Sequence, residues 1–246
     1  MEQLPLYIYA GMCVSFLTAL VLQIRTGTTG EKAAVLAGRF FCTAGVAAII
    51  LLEKRLPLFG IFESTLYIAF WLSWLDCLAK RSLPARLNKK LSTETSLFIL
   101  ILLMFQLNQP MAFNHDYFMY TNVWTNLFFN LRLTAAAFFI HAALLFLNGG
   151  WQADGEEQAL LMKKGRNFLL AGATIYLAGE WAGSLWCLNW LGDSWQWSRG
   201  FFKASAVFLL AMMALHLPPF FTNRQRAKAV LGSLPALFML WMILYH

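Results

Sequence analysis

The sequence predicts an all-α protein, a polytopic transmembrane helix bundle of about eight spans with both termini on the outer side of the membrane. Three observations predict it. Of the 246 residues, 59% are hydrophobic and only 13% are charged, about half the charged share of a soluble domain, and the mean hydropathy is +0.58. Apolar runs of span length recur along the whole chain, and a hydrocarbon core of ~30 Å needs ~20 helical residues. The basic residues, finally, alternate between rich and poor loops. A soluble globular domain, a disordered chain and a disulfide scaffold are excluded.

The apolar runs fall at about 5–24, 33–52, 58–79, 95–110, 124–147, 167–188, 201–221 and 229–245. They are too long for barrel strands, and a helix satisfies its own backbone in lipid. The first reads as a span, because MEQLPLYIYAG lacks a basic n-region and no A-x-A-like cleavage site follows. The fourth is short. No loop is long enough for a separate domain, so residues 1–246 read as a single integral-membrane domain. Cys13, Cys42, Cys77 and Cys187 form no CxxC pair and read as buried small hydrophobes.

The net charge is +7, from 19 Lys and Arg against 12 Asp and Glu. In a membrane protein that excess is an orientation signal rather than a nucleic-acid footprint. The loop after span 1 holds Arg25 and Lys32. The loop after span 3 holds Lys80, Arg81, Arg86, Lys89 and Lys90. Lys163, Lys164 and Arg166 follow span 5, and Arg224, Arg226 and Lys228 follow span 7. The intervening loops hold Lys54 and Arg55, then none, then Arg199. The positive-inside rule puts the rich loops in the cytoplasm. Glu63, Arg132 and Lys203 then sit in outer halves of spans, Glu180 near mid-depth, and Arg39, Asp76, His141 and His216 in inner halves. Ionisable groups at such depths are costly and mark function, or they pair with one another, for instance Arg39 with Asp76.

Residues 179–200 read GEWAGSLWCLNWLGDSWQWSRG and hold five of the ten Trp: Trp181, Trp186, Trp190, Trp195 and Trp197. They lie at the outer end of span 6 and in the external loop after it. Gly192 and Gly200 permit tight bends. One reading is an aromatic belt at the headgroup level. The other is a flat apolar platform edged with N–H donors, suited to a planar ligand such as a porphyrin.

The segment resembles the tryptophan-rich motif of the haem-handling family that includes CcsA/ResC, CcmC and CcmF, roughly W-G-x-x-W-x-W-D-P. Gly192, Trp195 and Trp197 match G-x-x-W-x-W, and Trp190 falls one place early for the leading Trp. Ser198 stands where the family has Asp, and Arg199 where it has Pro. Trp181-Ala182 resembles the W-A before the motif. His216 matches the histidine that the next helix carries in CcsA-like proteins. Independently, PLFGIFESTLYIAFW at 57–71 resembles the P-L-x-N-x-Y-E-S-L…W segment of an early CcsA helix, through Pro57, Glu63, Ser64 and Trp71. Two motifs in the right order favour CcsA over CcmC. The resemblance runs from about residue 50 onward.

Only four histidines occur: His115, His141, His216 and His246. His141 on span 5 and His216 on span 7 lie at similar inner depths, and two axial imidazoles on facing helices are what a bis-His haem needs. The plainer reading makes each a hydrogen-bonded residue, with His246 a frayed terminus. The resemblance implies an inner histidine that receives haem b within the membrane, a role His216 matches. It also implies two external histidines beside the tryptophan loop. The first belongs in a W-L-x-x-H context near the start of span 5, where Asn130 is the nearest fit and His115 a displaced candidate. His246 stands for the second. Arg55, Arg132, Arg199 and Lys203, with Glu63, are the outer polar groups available to haem propionates. Arg199 also reads as an interfacial anchor and Lys203 as a snorkelling side chain.

The resemblance thus implies a multi-pass protein of a bacterial inner membrane. It would bind haem b and present it at Trp186, Trp190, Trp195 and Trp197 for covalent attachment to apocytochrome c. A CcsB-like membrane subunit would be its partner in a cytochrome c haem-lyase. Two alternatives stand beside this. One is a CcsA-like paralogue without synthase activity, either a HemX-type regulator or a haem-bearing subunit of a respiratory complex. The other is a structural membrane subunit whose tryptophan loop is a partner interface.

Overall fold

A computed structural model of the chain describes residues 4–25, 29–80, 83–106, 121–152, 154–192, 199–217 and 224–244. The described residues are all-helical, with no strand. The helices are α1 (Leu4–Arg25), α2 (Thr29–Glu53), α3 (Ile61–Lys80), α4 (Ala85–Phe105), α5 (Val123–Gly150), α6 (Gly155–Leu191), α7 (Arg199–Leu215) and α8 (Gln225–Leu244). Five of them, α1, α2, α3, α5 and α8, are long and apolar enough to cross a membrane.

Three helices depart from the runs expected of them, each for a visible reason. The fourth was expected at 95–110, but α4 begins at Ala85, directly after Pro84. Its first turns bury Leu87 and Leu91, four residues apart on one face, and expose Arg86, Lys89 and Lys90. α6 extends 37 residues, about 55 Å at ~1.5 Å per residue. Lys163, Lys164 and Arg166 therefore lie on the helix, and the connection from α5 shrinks to Trp151–Asp154. α7 stops at Leu215, ahead of the Leu217-Pro218 step, because proline disfavours helix in the residue before it.

The helices gather into two compact units, Met1–His115 and Asp116–His246. In the first, each helix packs on two neighbours, in the order α1, α2, α3, α4 and back to α1. Met12, Ile49, Leu66, Ile68 and Leu72 are fully buried there. Tyr9 Oη donates to the Leu103 carbonyl at 2.9 Å, tying α1 to α4. Lys54, with φ +52°, and Gly60, with φ +90°, bound the loop between α2 and α3. The Gly60 carbonyl accepts the first bond of α3, from the Ser64 N–H at 3.0 Å.

This core also carries charge. Arg55 forks onto Glu63, Nη1 to Oε2 at 2.6 Å and Nη2 to Oε1 at 2.7 Å. Glu63 is 0% exposed and Arg55 8%. Toward the other end, Ser92 Oγ donates to Asp76 and Gln23 donates to Ser92, both at 3.4 Å. The suggested pairing of Arg39 with Asp76 is replaced. Arg39 Nε donates to the Ser73 carbonyl at 3.1 Å, and its guanidinium lies 5.5 Å from the Trp74 ring centre.

In the second unit α5 packs on α6 and α8, and α7 closes the group against the same two helices. Gly165, Gly172 and Gly179 recur every seven residues on α6, and Gly183 follows four later. That spacing keeps them on one face. They receive Phe146, Phe139, Leu131 and Phe128 of α5 in turn. A Cβ at Gly172 would lie 2.9 Å from the Phe139 ring, and one at Gly232 of α8 only 2.5 Å from the Phe146 ring. Asn122 caps α5, its Oδ1 accepting from the Trp124 N–H at 2.8 Å. Asp154 caps α6 in the same way, accepting from the Glu156 N–H at 2.9 Å. Gly192, at φ +72°, ends α6 in the left-handed conformation that glycine adopts without strain.

All four cysteines are free thiols, and Cys42 is the fully buried one.

Candidate functional site

The candidate residues divide between the units. Arg55 and Glu63 lie in the first, and the described histidines and tryptophans of interest in the second. Trp195, Trp197, His115, His246 and the side chain of Arg199 lie outside the described residues.

One end of the second unit is an aromatic shelf built by α5 and α6. Trp124 meets Trp181 edge-on at 5.6 Å between ring centres. Phe128 lies 5.9 Å from Trp186, and Phe129 6.3 Å. Trp181 is 61% exposed and Trp190 43%, but nine residues apart they lie on opposite sides of α6. Beneath the shelf Arg132 Nε donates to Glu180 Oε1 at 2.7 Å, and its guanidinium sits 4.1 Å over the Phe128 ring. Trp124, Phe128 and Arg132 fall at i, i+4 and i+8, one stripe of α5. That spacing was the signal for the α5 half of the shelf, which attention to the 179–200 segment alone passes over.

The cations expected on the outer side are engaged in different ways. Arg55 and Arg132 are each matched by a carboxylate, Glu63 and Glu180. Lys203 of α7 lies 5.0 Å from the ring centre of Trp241 on α8, a cation–π contact.

His141 and His216 differ sharply. His141 is fully enclosed, its ring 4.6 Å from that of Phe168, and neither ring nitrogen has a hydrogen-bond partner among the described residues. Burying such a group unpaired is costly. His216 follows the last residue of α7 and is exposed. Its Nδ1 stands 3.1 Å from the Met212 carbonyl. A carbonyl only accepts, so Nδ1 carries the proton and Nε2 keeps a lone pair. A histidine that gives its other N–H to a carbonyl is set up in orientation and tautomer for iron.

The two histidines also differ in access: His141 is enclosed within the α5–α6 seam, while His216 lies just past the end of α7 at the surface. A bulky planar group could reach His216 Nε2 but has no room at His141. Among the described residues no group of three or more His, Cys, Asp and Glu could hold a metal ion directly.

No protein-family model matches the chain, and no curated protein matches it.

Proposed function

We propose that the chain is a membrane haem-handling protein of cytochrome c maturation, similar in role to CcsA-type proteins of bacterial inner membranes. In this reading all eight helices cross the bilayer and both termini face outward. The basic termini of α4 and α8 and the basic stretch of α6 lie in the cytoplasm. The observation that carries the reading is His216, an exposed imidazole whose Nδ1–H is held by Met212 and whose Nε2 is available.

Haem b, when bound, would supply an iron that an imidazole nitrogen can ligate. The chain supplies the rest. Met212 fixes the His216 tautomer. The shelf that Trp181 and Trp186 form with Trp124 and Phe128 of α5 offers a macrocycle apolar contact at the outer side. Of the cations in the second unit, Lys203, which has no carboxylate partner among its described contacts, would hold a propionate more readily than Arg132, which is matched by Glu180. Presentation to apocytochrome c is shared with a CcsB-like subunit. The carboxylates already matched to Arg55 and Arg132 favour, as a second reading, a paralogue that binds haem without ligating it to apocytochrome.

Two results test this. With haem supplied, His216→Ala is expected to abolish or shift the visible bands of the purified protein, and His141→Ala to leave them in place. Bands unchanged in His216→Ala would remove the inner site. For the orientation, Trp151 is 56% exposed in the turn between α5 and α6. In a chain with its four cysteines replaced by serine, Trp151→Cys is expected to react with a membrane-impermeant maleimide only from the cytoplasmic side. Labelling from outside intact cells would invert the topology.

A further inference from the structure

At the end of the second unit that carries His216, α5, α6, α7 and α8 surround an open cleft of about 540 Å³. Lys163 and Arg166 of α6 and Lys228 of α8 line it on one side. No carboxylate is among its described lining residues. Lys163 and Arg166 are exposed and make no ion pair among the described residues. Phe146, Leu170 and Leu217 form much of the remaining wall. Phe146 packs on Gly165, between the cations, and Leu170 continues the apolar wall along α6 past Phe168, where its apolar stretch starts, so the charged mouth opens at the headgroup level. The His216 ring is not part of the lining.

We propose that this cleft is a binding site for the headgroup of an anionic phospholipid. The phosphate is held by Lys163, Arg166 and Lys228, and the first part of an acyl chain lies along Phe146 and Leu170. Charge complementarity selects the ligand. Three cations with no acid in the lining attract a phosphate, and basic pockets between helices on the cytoplasmic side are suited to such headgroups. A soluble anion would use the cations and leave the apolar wall without purpose. The site rests on the inside-positive orientation proposed above and is independent of haem.

The test is the thermal unfolding midpoint of the full chain in mixed micelles, with phosphatidylglycerol compared against phosphatidylcholine. A ligand that binds only the folded state raises the midpoint. Phosphatidylglycerol is expected to raise it by several degrees in wild type, and K163Q/R166Q/K228Q to lose that difference while keeping the wild-type midpoint in phosphatidylcholine. If the triple variant does not fold, Arg166→Gln alone is expected to shrink the shift. Equal wild-type midpoints in the two lipids overturn the proposal, as does a difference that the variants leave intact. An equal shift from inorganic phosphate in lipid-free detergent would assign the cleft to a soluble anion and also overturn it. The maleimide labelling reads orientation separately, so a failure there is distinguishable from a failure here.

Discussion

Gly172→Leu is expected to lower the unfolding midpoint of the purified protein by many degrees or to stop it accumulating in the membrane. A Cβ at this position would already stand 2.9 Å from two Phe139 ring atoms and 3.1 Å from the Phe138 Cβ. Phe139 is 0% exposed, so its ring has nowhere to turn. Inserting methylenes into a packed core costs about 1–3 kcal/mol, occasionally more, and here the intrusion falls midway along the main seam of the unit. Close backbone approach through small residues is also what joins helices in lipid, where apolar burial drives association only weakly. Gly155→Ala is the control, because nothing lies within 4 Å of a Cβ there. Adding Phe139→Ala to Gly172→Leu is expected to restore part of the loss, since the two side chains compete for one space. A Gly172→Leu protein as stable as wild type would refute the seam.

The second large effect is expected at the Arg55–Glu63 fork in the first unit. Glu63→Leu strands the Arg55 guanidinium in a site where it is 8% exposed. Removing one partner of a buried pair costs about 3–5 kcal/mol. Replacing both is far milder, because desolvation of the pair offsets much of its attraction. Arg55→Met with Glu63→Leu is therefore expected to recover most of the stability that Glu63→Leu loses. Unfolding midpoints of the two single variants and the double variant check this. Additive losses would mean that the two side chains do not act as a pair.

Hydropathy and charge made the helical class readable in the sequence, and helix ends held wherever a run was uniformly apolar, as in α1 and α5. The misplacements have a common cause. The first turns of α4 and the first third of α6 are amphipathic, so an average over the window sees charge and ends the span. The backbone continues, with Leu87, Leu91 and Leu161 turned inward. Hydropathy along the chain reads residues 1–246 as one integral-membrane domain, and it does not carry the grouping of the helices into two compact units, which depends on which faces pair.

The residues of the candidate site were visible in the sequence, but not their arrangement. The Trp181, Trp186 and Trp190 stretch was visible as composition. Its companions Trp124 and Phe128 needed the face-to-face register of α5 and α6. Depth estimated from distance to a span's end put His141 and His216 together, but burial separates them: His141 is enclosed in the seam and His216 is exposed past the end of α7. Arg39 next to the Ser73 carbonyl, rather than Asp76, shows the same limit. A charge in lipid takes the nearest acceptor on its facing helix, and sequence distance does not reveal which one that is.

The central claim is that this membrane protein handles haem. Its most direct test is the reduced-minus-oxidised visible spectrum of the wild-type protein, purified in detergent from cells supplied with haem. The account predicts a Soret band and an α band of a b-type haem. A flat difference spectrum, from protein that is folded by its unfolding midpoint, would contradict it.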